Sequence, residues 1–173
     1  MATGLLLLRV TLGLTLAAHG AQKLFGWFGG LGLDATGQAL AGLGFRPGRR
    51  HALIAGLVEL AAGSLLTLGL ATPVASMVFV SVMLVAARAV HSRNGFFITE
   101  GGFEYNLVLG VAGLTFAFTG PGGLSLDAVL GLTLDGLFPG LAVLVLGLIG
   151  GTVQLAQRSP IITEASQAKA TGA

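Results

Sequence analysis

Apolar residues run along this chain in five long blocks, at positions 4–22, 52–70, 73–90, 103–119 and 137–155, each bounded by charges, Pro or a Gly cluster. Each approaches the roughly 20 residues that cross a hydrocarbon core. The pattern predicts an all-α integral membrane protein. Only Ala71 and Thr72 separate the second block from the third. Thr72 is a fair N-cap and Pro73 takes the favoured first helical position, so these two helices form a tight hairpin. The fourth block is short and rich in Gly and Thr, which suits a tilted helix or one inside the bundle.

Composition supports the same assignment. Charged residues make up 9% of the chain and hydrophobic ones 54%, with a mean hydropathy of +0.89, whereas a soluble domain carries roughly 25% charge. The absence of Cys removes disulfides, thiol redox chemistry and cysteine-ligated metals. The net charge of +2 resides in basic loops and does not point to nucleic acid.

Those loops set an orientation. Lys23, Arg46, Arg49, Arg50, Arg93, Arg158 and Lys169 fall on one side of five spans, with Arg88 just inside it. The opposite loops have no Lys or Arg and carry Asp127 and Asp135. Because cytoplasmic loops hold the basic excess, the N-terminus lies outside and the C-terminus in the cytoplasm. The first block reads as a span and not as a cleaved signal peptide, because no basic segment precedes it and Arg9 interrupts its apolar core.

Two charges stand well inside apolar blocks, Arg9 in the first and Glu59 in the second, whereas Arg88 and Glu104 stand near the ends of theirs. A charge in the bilayer costs several kcal/mol unless it faces the protein interior and finds a partner, so both mark the inside. On a helical wheel Arg9, Gly13, His19, Gly20 and Lys23 share an arc of roughly 120°. Gly56, Glu59 and Gly63 share a face of the second block, and Asn106, Gly110 and Gly113 a face of the fourth. Small residues let helices approach closely in membranes, which predicts that these faces pack around one polar interior. The expected centre is an Arg9–Glu59 ion pair, with His19 and Lys23 continuing a polar track toward the cytoplasm. A pair that only sets helix register is the simpler alternative.

Two loops complete the inventory. In the first, Asp34 is positioned to cap a short helix ending at Gly44, and Trp27 with Phe28 suits the aromatic interfacial belt or, alternatively, a lid. The second, 91–104, mixes polar groups with Phe96, Phe97 and Phe103 and forms a mouth with His19, Lys23 and Trp27, or an ordinary headgroup-anchored connection. Glu104 also sits favourably at a helix N-terminus. His19, His51 and His91 lie near one membrane face, but their spacing is no metal signature.

Several of these residues form blocks in a recognisable order: Arg9 with Gly13, then His19, Gly20, Gln22, Lys23, Leu24, Phe25 and Gly26; Gly56 with Glu59 and Gly63; and 94–97 before Gly102, Phe103 and Glu104. The chain thereby resembles the DoxX family of small bacterial membrane proteins over about residues 4–130. The resemblance implies a four-helix membrane domain over 1–130, an additional transmembrane helix within 131–157, and a flexible cytoplasmic tail at 158–173, in a bacterial inner membrane. The family's motif positions correspond to Arg9, His19, Lys23, Glu59 and Glu104. Family members are similar to the membrane subunit of a thiosulfate to quinone oxidoreductase, or are linked with oxidative-stress and sulfur-metabolism partners.

The leading reading is a membrane subunit of a redox assembly, with Glu59 and His19 as a proton relay and Arg9, Lys23, Glu104 and Asn106 as ligand-binding groups. Quinone is its candidate cofactor, and a separate protein, soluble or membrane-bound, supplies the electrons. The alternatives are a carrier for a small anionic or sulfur-containing solute, and a scaffold that recruits soluble enzymes. A homo-oligomer stays open under all three.

Overall fold

The computed structural model describes residues 2–132 and 134–159. The predicted tail from residue 160 onward lies outside them. The described helices are α1 (Ala2–Phe25), α2 (Gly32–Gly42), α3 (Gly48–Leu68), α4 (Thr72–Ala86), α5 (Glu104–Thr119), α6 (Leu126–Val129) and α7 (Leu137–Ala156). A π turn at Ala87–His91 and a 3-10 turn at Ser92–Asn94 extend α4, giving one helical stretch Thr72–Asn94.

α1, α3, extended α4 and α7 are each long and apolar enough to cross a membrane. The fold is therefore all-helical and of membrane type. The fourth apolar block folds as α5, whose 16 residues rise roughly 24 Å, short of a hydrocarbon core about 30 Å thick.

α3 packs along α1 and α2, and α4 packs against α3, α5 and α7. The α1–α3 contact is made by small residues at the level of the backbone. A Cβ on Gly13 would lie 2.6 Å from Thr67 N, and one on Gly20 would lie 2.5 Å from Leu60 N and 2.6 Å from the Gly56 oxygen. Only glycine permits that approach. α7 uses the same device against α4, because a Cβ on Gly147 would lie 2.9 Å from Met77 O. α7 is thus integrated with the bundle, and it also touches α5.

The predicted glycine face of α5 does pack closely, but its partner is α4. A Cβ on Gly113 would lie 2.7 Å from Phe79 Cδ1. The three polar faces expected around one interior therefore divide, with α1 and α3 facing each other and α5 facing α4. Large side chains cause this: Leu12, Leu16, Leu66, Phe79 and Phe116 fill the centre as an apolar core. Outward-facing residues such as Leu7, Leu57, Val108 and Val153 are exposed, as a lipid-facing surface requires.

The two ends of the bundle differ in charge. At one end, the last residues of α7 meet the loop between α2 and α3: Ser159 N donates to Gly44 O (2.8 Å), and Arg158 Nε donates to Leu43 O (2.8 Å). The Arg158 guanidinium also lies 5.6 Å from the Phe45 ring centroid. At the other end, α1 begins beside the 120–127 segment and the α3–α4 hairpin. α7 runs from the acidic end, near Asp135, to the basic end.

Short interfacial structure follows the sequence with small shifts. α2 starts at Gly32, so Asp34 lies within its first turn instead of capping it. Asp34 Oδ1 accepts from Arg49 Nε on α3 at 2.8 Å, on an exposed surface. Trp27 and Phe28 are exposed and pack in a chain with Phe25.

Candidate functional site

Lys23 stands in the last turn of α1 and Glu59 in the middle of α3. Their helices cross at Gly20 and Gly56, one turn from each residue. That close crossing brings Lys23 Nζ to 2.5 Å from Glu59 Oε2. The Glu59 side chain is 6% exposed and that of Lys23 26%. Charge-assisted hydrogen bonds of this kind are strong when partly desolvated.

The pair opens onto a cavity of about 390 Å³ between α3, α4 and α7, which Leu43 and Phe45 also line. Its walls are mostly aliphatic, with Val58, Val78, Val82 and Leu146 among them, and its few polar groups include Lys23, Glu59, His51, Ser81 and Gln154. The Gln154 side-chain nitrogen lies 3.0 Å from His51 Nδ1, a spacing in which Gln154 donates and Nδ1 accepts. The Phe45 ring lies 5.5 Å from that of buried His51. An apolar cavity with a few convergent polar groups is the usual form of a small-molecule site, for which volumes of roughly 300–1,000 Å³ are typical.

The sequence-predicted residues scatter relative to this site. His19 lies one turn before Lys23 and is exposed. Arg9 is at the opposite end of α1, and the expected Arg9–Glu59 pair does not form. Lys23 is the nearer cation because Glu59 lies at the glycine crossing close to the end of α1, whereas Arg9 is roughly 21 Å back along the helix. Arg9 is buried instead over Gly69, where a Cβ would collide with its guanidinium, and Nη2 donates to Leu124 O at 2.7 Å. Its Nε and Nη1 have no partner among the described residues.

Asp127 is the acidic group that acts on Arg9 through space. Both of its oxygens are occupied, since Oδ1 accepts from Ala71 N (2.8 Å) and Oδ2 from Thr72 N (2.9 Å). It therefore caps α4 from a distant segment.

Asn106 and Glu104 also lie away from the Lys23–Glu59 pair. Asn106 is buried on the other side of α4, and among the described residues its Nδ2 donates only to Met83 Sδ, at 3.9 Å. Glu104 Oε2 accepts from Ile98 N (3.0 Å), and Glu104 N donates to Phe96 O (2.8 Å). Glu104 thus ties down the 95–104 loop. His91 joins it there, with Nδ1 2.8 Å from Gly101 O.

Sequence reasoning missed Gln154 altogether, noted Asp127 only as a loop charge, and noted His51 only among the histidines. Gln154 is the single polar side chain of α7 besides Thr152, a signal of the kind that singled out Glu59. Asp127 carried no such signal, because an acidic residue in a loop is ordinary. Among the described residues no three His, Asp or Glu side chains converge as metal ligands.

Compared with known proteins, the chain matches the family model described as DoxX over residues 4–92, just over half its length. No curated protein and no solved structure matches it.

Proposed function

This chain belongs to the DoxX family, and from that premise we propose that it is a membrane subunit of a redox assembly that holds a quinone headgroup beside Lys23 and Glu59. The observation that carries this reading is the 390 Å³ cavity, apolar along its walls and charged where Lys23 meets Glu59. A quinone needs that combination, an oily trough for its tail and a polar end for its ring carbonyls. When bound, it would supply two-electron, two-proton redox chemistry.

The residues of this chain then have defined tasks. Lys23 gives one ammonium N–H to Glu59 and keeps two others, one of which can donate to a ring carbonyl. Glu59 holds Lys23 in place and offers a carboxylate to carry a proton within the bundle. Val58, Val78 and Val82 exclude water from the trough. The chain has no Cys, so electrons come from a partner protein docking at the basic end. That end faces the cytoplasm of a bacterial cell in this reading, as the distribution of Lys and Arg favours. Arg9 and Lys23 stand at opposite ends of α1, so the charge-matched solute site of a carrier has no counterpart in their placement.

The test is extraction of bound small molecules from protein purified in mild detergent, read by mass spectrometry and ultraviolet difference spectra. Quinone should accompany the wild type and be depleted in folded Glu59→Gln and Lys23→Gln variants. Quinone absent from the wild type, or retained equally by both variants, would overturn the assignment.

A further inference from the structure

A second cavity, of about 320 Å³, lies on the other flank of α4, between α4, α5 and α7. It has its own polarity order. Val111, Leu114, Leu144 and Leu148 line its apolar length, while Arg88, Ser92 and Asn106 gather at one end. That end is the basic end of the bundle. Arg88 lies 16 residues beyond Thr72, roughly 24 Å along α4, and Asn106 sits in the first turn of α5, which starts from the same side. Leu114 is roughly 12 Å deeper than Asn106 along α5.

Two polar groups there have capacity left over. Arg88 is exposed and belongs to neither of the salt bridges among the described residues, which are Lys23–Glu59 and Arg49–Asp34. Asn106, 9% exposed, has among the described residues only the weak contact of its amide with Met83 Sδ. The π turn at Ala87–His91 sets the arrangement, because Ala87 and Arg88 face this cavity while the next two residues, Ala89 and Val90, line the first.

We propose that this groove is a binding site for an anionic phospholipid of the surrounding bilayer. Its phosphate pairs with Arg88, the polar ester region meets the Asn106 amide, and one acyl chain lies along Val111, Leu114 and Leu148. Charge complementarity and depth argue for this occupant: an unpaired cation stands at the surface, a carboxamide one step below it, and aliphatic walls below both. A basic pocket between transmembrane helices at the membrane surface suits anionic headgroups. The proposal is independent of the quinone reading and uses none of the residues that line the first cavity.

The test is native mass spectrometry of the whole chain, reconstituted in equimolar phosphatidylglycerol and phosphatidylcholine. The wild type should retain phosphatidylglycerol about fivefold over phosphatidylcholine, the preference that corresponds to the roughly 1 kcal/mol a basic residue contributes at an anionic surface. Arg88→Gln should abolish the preference and Arg88→Lys should restore most of it. Arg93→Gln, which removes an exposed charge nearby but outside the groove, should leave it intact, and Val111→Trp, which fills the apolar half, should lower retention of both lipids. Equal retention of the two lipids by the wild type would overturn the proposal, as would a loss in Arg93→Gln as large as that in Arg88→Gln, the mark of diffuse surface attraction. Displacement of the lipid by excess glycerol 3-phosphate would also overturn it, in favour of a site for a free phosphate.

Discussion

Lys23 reaches across the α1–α3 contact to within 2.5 Å of Glu59, a residue 36 positions away in sequence. Neither helix would present this pair to the other without Gly20, whose missing side chain lets the backbones meet beside it, and Gly56, whose missing side chain makes room for Leu24. The arrangement leaves Glu59 almost fully dependent on one cation, since its side chain is only 6% exposed.

Lys23→Met should therefore be more harmful than removal of both charges. The single variant strands a buried carboxylate and should cost about 2 to 3 kcal/mol, somewhat below the loss for a fully buried pair because Lys23 keeps part of its water. Lys23→Met combined with Glu59→Leu should recover most of that. Thermal unfolding in detergent, arranged as a double-mutant cycle, should give a coupling above about 1 kcal/mol. Additive effects would mean that the two charges do not depend on each other.

The glycine crossing makes a sharper demand. Gly20→Val would drive a side chain into the backbone of α3 and should cost at least the roughly 1 to 3 kcal/mol typical of overpacking. Gly4→Val, at a position with open space around it, should be nearly neutral. Because the same crossing positions Lys23, any Gly20→Val protein that still folds should also lose the extracted quinone, whereas Gly4→Val should keep it. An unfolding midpoint for Gly20→Val equal to that of Gly4→Val would contradict the close packing.

Asp127 is expected to behave as a structural clasp. Asp127→Ala frees the amides of Ala71 and Thr72 at the start of α4 and removes the acidic group that acts on Arg9. It should cost about 2 kcal/mol, at the upper end of the range for a lost N-cap. Asp127→Asn keeps one acceptor oxygen and should cost less. Limited proteolysis should cut the 120–132 segment faster in the alanine variant, and unchanged cleavage would show that other contacts hold that segment.

The absence of Cys makes membrane orientation directly measurable. Gly123→Cys and Ser159→Cys place single thiols at exposed positions at opposite ends of the bundle. A membrane-impermeant maleimide should label the first in intact cells and the second only after permeabilisation. Labelling of both from one side would show that α7 does not cross, and the reverse pattern would invert the proposed orientation.

The sequence by itself determined the helical class, the membrane setting and the faces on which helices meet. Those features depend on local quantities: runs of apolar residues near the length of a hydrocarbon core, Gly13 and Gly20 spaced along one side of α1 and Gly56 and Gly63 along one side of α3, and the hairpin at Ala71–Thr72. Pairing of the charges was decided only by the tertiary structure. Arg9, Lys23 and Glu59 were all legible as inward-facing, yet the wheel and the helical rise left either cation within reach of the carboxylate. The exact level of the glycine crossing selected Lys23 and left Arg9 to Leu124 and the neighbourhood of Asp127. Likewise, Gln154 meets His51 across 103 positions, and Asn106 turns to Met83 instead of the α1–α3 contact. These outcomes depend on which helices become neighbours, and the bulk of Phe79, Phe116 and Leu66 decides that by occupying the centre where a shared polar interior would have stood.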